Sequence, residues 1–201
     1  KAEAIAPPCG WLSRPRGALD KPGAAYANLW MVGVEGGAPR RMTSADTEDK
    51  APAWSPDGSS IAFLSARGGP EAKTRLWILP AEGGEAVAVT DEKTDVALFA
   101  WAADGRRIAY VAADPKTEAR EKDEKEGRDW TNVDRDLKAH RLWVIEAGAG
   151  GAWSAAGAPR AVAAAGDRSI WEIDWSPDGS AIVATASDMP RTDDSYMLKW
   201  V

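Results

Sequence analysis

Apolar residues in this chain come in short runs bounded by residues that favour turns. "SSIAFLSAR" (59–67), "TRLWILPAEGG" (74–84), "RRIAYVAAD" (106–114) and "HRLWVIE" (140–146) are representative. Runs of this length, rich in Ile, Val, Trp, Phe and Tyr, predict strands rather than helices. Their apolar positions are successive rather than alternating, so the predicted strands are covered on both faces. Three runs are preceded by a Trp-bearing motif: "AWSPDG" (53–58), "AWAADG" (100–105) and "DWSPDG" (174–179). Proline presets its backbone angle, aspartate tolerates the bend and glycine accepts a positive φ, so the motif predicts a hairpin corner.

The corners repeat. Trp101 follows Trp54 by 47 positions and Trp175 follows Trp101 by 74. A second marker, Leu-Trp followed by Gly-Gly, occurs in "NLWMVGVEGG" (28–37), "RLWILPAEGG" (75–84) and "RLWVIEAGAGG" (141–151), and Trp77 again follows Trp30 by 47 positions. Two markers with one period define a repeating unit. Its order is strand, Trp-Ser-Pro-Asp-Gly corner, apolar strand, polar gap, Leu-Trp strand, Gly-Gly turn, and a weaker strand ending near Thr. The fold class is therefore all-β: four-stranded antiparallel blades of a partial β-propeller, each blade covered by its neighbours. A sandwich, the rival architecture, would alternate apolar and polar positions more clearly. On this reading the tryptophans fill the gaps between blades, and Trp54→Ala is expected to lower the melting temperature strongly.

Blade boundaries are expected at residues 7–43 (partial), 50–90, 96–164 and 170–201 (partial), an incomplete propeller over residues 1–201. Closure takes typically four to eight blades, so the chain reads as a piece of a larger protein. Residues 113–139 account for the longer spacing. This insertion carries nine acidic and seven basic side chains, too many to bury, and predicts a solvated excursion with helical character through "TEAREKDEKE". Its functional reading is a rim element touching a second domain or gating an entrance.

Composition narrows the options. Among 201 residues, 44% are hydrophobic and 28% charged, which suits a globular domain. A net charge of −6 argues against a nucleic-acid partner. No apolar run reaches the length of a membrane span. One cysteine, Cys9, cannot form an internal disulfide, which leaves a cytoplasmic or a periplasmic location open. The start, "KAEAIAPPCGWLSRPRG", lacks Met and a continuous apolar stretch, and reads as a processed or truncated beginning rather than a signal peptide.

Reactive chemistry is harder to find. No Gly-x-Ser-x-Gly nucleophile turn occurs. The one histidine, His140, opens a strand with no serine and acid recognisable beside it, and is read as a strand-end residue. One Cys and one His do not make a zinc cluster, and the Gly-Gly pairs belong to hairpins rather than to a phosphate loop. The expectation is no catalytic residue, no metal and no cofactor. The loop "MPRTDDSYM" (189–197) leaves the second strand of the fourth unit; its Arg191, Asp193, Asp194 and Tyr196 are the candidates for peptide contact at a channel mouth.

The stretches "NLWMVGVEGGAPRRMT", "APAWSPDGSSIAFLSARGG" and "RLWILPAEGGEAVAVT", with the charged insertion before "HRLWVIE" and with "RTDDSYM", resemble the N-terminal propeller of prolyl oligopeptidase-family serine peptidases, nearest the acylaminoacyl-peptidase and dipeptidyl-peptidase-like branch. The resemblance runs from about Leu12 to Val201. It implies a parent serine peptidase with a Ser-His-Asp triad in a C-terminal α/β-hydrolase domain, over which the propeller admits peptide substrate. That domain lies outside this sequence, so no catalytic residue carries over and the chain alone is expected to be inactive. Trp-Ser-Pro-Asp-Gly repeats also occur in TolB-type propellers, and a non-enzymatic protein-binding module is the alternative. A sugar- or lactone-processing propeller would need channel-facing His, Asp or Glu ligands, which are not apparent.

Overall fold

The computed structural model describes residues 27–69, 71–91, 93–114, 122–123, 125–128, 138–148, 153, 159–162 and 168–188. Twelve strands run through these residues in four antiparallel sheets. The first sheet pairs β1 (Trp30–Met31) with β2 (Arg40–Arg41). The second has four strands in sequence order: β3 (Asp49–Trp54), β4 (Ser60–Ser65), β5 (Arg75–Pro80) and β6 (Val87–Ala88). The third repeats it with β7 (Asp95–Trp101), β8 (Arg107–Ala113), β9 (His140–Glu146) and β10 (Arg160–Ala161). The fourth pairs β11 (Ser169–Trp175) with β12 (Ile182–Ser187).

The corner between first and second strands is built by its own side chains. In the second sheet, Ser55 Oγ donates to Asp57 Oδ1 at 2.6 Å, and the same carboxylate oxygen accepts the Ser59 amide and hydroxyl. Ser55 Oγ in turn accepts the Ser60 amide. The fourth sheet repeats every bond with Ser176, Asp178, Ser180 and Ala181. Gly58, Gly105 and Gly179 all take φ near +70°, where a side chain would be strained. The motif thus replaces backbone pairing with side-chain acceptors at a bend too tight for a ladder.

Each first strand carries a bulge at one position. One extra residue is inserted between Lys50 and Ala53, between Val96 and Leu98, and between Ile170 and Glu172. Ala51, at the first of these, has φ of 51°, the single positive-φ residue other than glycine among those described. A bulge increases local twist.

Burial agrees with strands covered on both faces. Five consecutive residues of β4 (Ile61 to Ser65) and five of β8 (Ile108 to Ala112) are buried. The second and third sheets share one core, in which Leu64, Leu76, Ile78 and Val89 meet Ile108, Tyr110 and Ile145. A second core joins the third and fourth sheets through Val111, Leu142, Val144, Ile170 and Ala186. The short fourth strands are held by a buried hydroxyl: Thr43 Oγ1 accepts the Leu29 amide, and Thr90 Oγ1 accepts the Leu76 amide.

One expectation about the tryptophans is corrected. Trp101 lies against Trp153 edge to face, 5.4 Å between ring centres, and its indole N–H donates to the Ala53 carbonyl of the preceding sheet. Trp175 does likewise to Ala100. Trp54, however, is 51% exposed. Its ring points where a preceding first strand would lie, and β1–β2 provide no such strand among the described residues. Burial of these rings depends on the neighbour, not on the motif.

Candidate functional site

The bonds from Trp101 to Ala53 and from Trp175 to Ala100 bring successive first strands side by side. β3, β7 and β11 therefore form the inner edge of the array, where a ligand passing along its axis would meet them. Lys50, Ala51, Ala97, Glu172 and Asp174 are exposed on these strands. One end of this edge is closed by polar contacts from the preceding sheet. Asp95 Oδ1 accepts the Thr74 amide, and Ser169 Oγ accepts the His140 amide at 3.1 Å. At the matching position of the second sheet, Asp49, its side chain fully buried, is paired with Arg67 (Oδ2 to Nη2, 2.7 Å). The Arg67 guanidinium also lies over the rings of Phe63 and Trp77, at 4.9 and 5.2 Å. Removing either member of this buried pair would strand a charge.

His140 sits in this strand-end layer, and the structure adds a neighbour the sequence did not reveal. Ser169, 29 positions away, places its Oγ 3.5 Å from His140 Nδ1. The imidazole is half-buried beside the Trp171 ring, 5.3 Å between centres. Burial holds its pKa below the ordinary value, against the opposing pull of Asp114 and Asp95. This is not a nucleophile and its base. Ser169 is fully buried, so no carbonyl carbon could reach its oxygen. Asp114 is occupied by Arg141 at 3.1 Å. The cluster locks the start of β9 to β11.

Among the described residues no group of His, Cys, Asp and Glu is placed to hold a metal. No helix among them is long and apolar enough to cross a membrane. Arg191, Asp193, Asp194 and Tyr196 lie outside the described residues. Of the charged insertion, Lys122, Asp123 and Lys125 are helical, and Arg128 pairs with Asp123 and Glu126.

A groove of about 570 Å³ lies between the third and fourth sheets. Leu142, Val144 and Val162 form one wall; Ile182, Ala184 and Ala186 form the other, with Trp175 and Gly179 at one end and Arg107, Arg160 and Arg168 at its margins. Arg107 also lies over the Trp175 ring at 5.0 Å. Ser180 also lines the groove, and its hydroxyl donates to the Asp178 carboxylate of the corner.

No protein-family model matches the chain, and no curated protein matches it. Solved structures do. Hydrazine synthase from Kuenenia stuttgartiensis is similar at 15% identity over 83% of this chain and 47% of its own, with a TM-score of 0.54. A TolB from Agrobacterium tumefaciens is similar at 18% identity over 80% of this chain and 50% of its own, TM-score 0.52. A prolyl endopeptidase is similar at 14% identity over 81% of this chain and 23% of its own, TM-score 0.52. The chain thus spans half or less of the length of each. At these identities the likeness speaks to fold alone, and with the sheets described above it identifies four-stranded antiparallel blades of a β-propeller.

Proposed function

We infer that this chain is a non-catalytic portion of a propeller that screens peptide substrates for a serine-type peptidase, whose triad lies in an α/β-hydrolase domain outside the 201 residues. The observation that carries the reading is negative chemistry on a positive scaffold. Every described serine near a base is buried or committed to a corner, while the inner strands present exposed backbone and side chains along a common edge. Such a scaffold restricts which peptides reach a catalytic centre without taking part in bond breaking. Its residue-level resemblance to peptidase propellers, together with the prolyl endopeptidase among its structural neighbours, favours peptides as the screened substrate.

The test is to express the full reading frame that contains this chain and treat it with a fluorophosphonate probe, which labels activated serines. Labelling at a serine outside these 201 residues, with peptide turnover by the full protein and none by the chain alone, is the expected result. A reading frame with no hydrolase domain would overturn the peptidase reading in favour of a TolB-like interaction module. Turnover by the isolated chain would overturn the non-catalytic assignment.

A further inference from the structure

The junction of the second and third sheets and that of the third and fourth are built on one pair of positions, filled differently. In the first junction the pair is Thr74 and Asp95. The Thr74 amide donates to Asp95 Oδ1, and the Val96 amide donates to the Thr74 carbonyl at 2.7 Å. In the repeat, "TRLW" (74–77) aligns with "HRLW" (140–143), and "TDV" (94–96) with "RSI" (168–170). His140 therefore stands in the place of Thr74, and Ser169 in the place of Asp95. The amide contact is kept, from His140 to Ser169 Oγ at 3.1 Å. The carboxylate is lost and a titratable ring is gained.

Ser169 is fully buried, and its oxygen already accepts the His140 amide. Among the described residues its hydroxyl hydrogen has one acceptor, His140 Nδ1, at a long 3.5 Å. Nδ1 can accept only while it carries no proton. The imidazole has little room to adjust. It packs on the Trp171 ring, and that indole is fixed by its N–H, which donates to the buried Ser187 Oγ at 2.9 Å. The charged groups of the surrounding elements are Asp95 opening β7, Asp114 following β8, Arg141 of β9, and Arg168 and Asp188 flanking β11 and β12. Asp114 is paired with Arg141, and Arg168 with Asp188. Asp114 and Asp95 favour a charged ring, and burial outweighs them.

We propose that His140 is an acid-sensitive latch between the third and fourth sheets. With Nδ1 unprotonated, the ring accepts the Ser169 hydroxyl and holds the start of β9 on the start of β11. When Nδ1 takes a proton from solvent, Ser169 Oγ faces two donors and its own hydrogen loses its acceptor. That loss is relieved when the strand ends part and water enters. The charged ring is also better solvated outside its half-buried place, which pulls the same way. An imidazole that burial holds below its ordinary value contributes stability fully present above about pH 6.5 and lost as pH falls below it. The Thr74–Asp95 junction has no imidazole and serves as an internal control. The inference is independent of the peptidase reading, since it concerns only how two sheets are joined.

The experiment is hydrogen–deuterium exchange on the full protein that contains this chain, read by mass spectrometry with allowance for the intrinsic pH dependence of exchange. It is run at about pH 7.5 and about pH 5.5, on either side of the ordinary imidazole value. Peptides covering the starts of β9 and β11 are expected to lose protection severalfold at the lower pH, while those covering Thr74 and Asp95 keep theirs. His140→Thr, which copies the residue at position 74, is expected to remove the difference. Three results would overturn the proposal: equal protection of β9 and β11 at both values, an equal loss at both junctions, or a loss that survives His140→Thr. The first two are read on the unaltered protein, so they decide the matter even where the variant fails to fold.

Discussion

The interface between the second and third sheets and the one between the third and fourth use the same sequence pattern, yet only the first is filled. Between the second and third, Tyr110 is buried and Trp101, Trp143 and Trp153 pack against the shared core. Between the third and fourth, Ala184 replaces the tyrosine, β11–β12 have no third strand among the described residues, and a groove of about 570 Å³ remains. The Trp-Ser-Pro-Asp-Gly corner is equally well formed in both. Corner formation is local chemistry; interface closure needs strands from a neighbour.

The largest expected effect comes from making the closed interface resemble the open one. Tyr110→Ala removes a fully buried ring, whose hydroxyl burial pushes up to about 12. It should cost about 3–5 kcal/mol, near the margin of stability for a domain of this size. A denaturant midpoint unchanged from the parent chain would mean the second and third sheets do not pack as described. Next in size is the contrast between equivalent tryptophans. Trp101→Ala should cost about 3 kcal/mol, the lower end for a ring only partly buried, and each kcal/mol lowers the melting temperature by about 2–4 °C. Trp54→Ala should change stability by no more than about 0.5 kcal/mol. Equal losses at the two positions would erase the distinction between covered and uncovered blades.

The smallest effect tests the feature the two regions share. Hydrogen bonds from Ser176 and Ser180 hold the Asp178 carboxyl down to about 2, and those from Ser55 and Ser59 lower Asp57 in the same way. A carboxyl whose pKa falls on folding adds stability above its unfolded value and loses it as pH drops through the folded one. For Asp178 that window runs from about 4 to about 2. Asp178→Asn should therefore flatten the acid limb of a stability-versus-pH curve between those values, by lowering the stability above about pH 4 toward that found near pH 2. A limb that keeps its slope would detach the corner carboxylates from acid unfolding.

Much of the fold was legible because its signals are local. Unbroken apolar runs announced strands buried on both faces, and the burial of β4 and β8 bears this out. The Gly-Gly pairs announced the turns between third and fourth strands, where Gly36, Gly37, Gly83 and Gly84 all have positive φ. The threonines ending the first two units, Thr43 and Thr90, were visible as markers, but their work was not. A hydroxyl that accepts an amide 14 positions away has no signature in spacing alone. Trp54 misled for a related reason: its motif matches that of Trp175, and nothing in the motif records whether a sheet stands in front of the ring. Ser169 escaped notice beside His140 because the 29 positions between them are bridged by sheet packing rather than by proximity along the chain.

By itself the sequence determined the unit: strand lengths, corner chemistry, the period of 47 and the absence of a hydrolase nucleophile turn. These follow from backbone stereochemistry and the burial preferences of single residues, which act over a few positions. Only the tertiary structure decided which described rings are covered and which serine meets the histidine. Those outcomes depend on contacts between separate units, which no short stretch of sequence records.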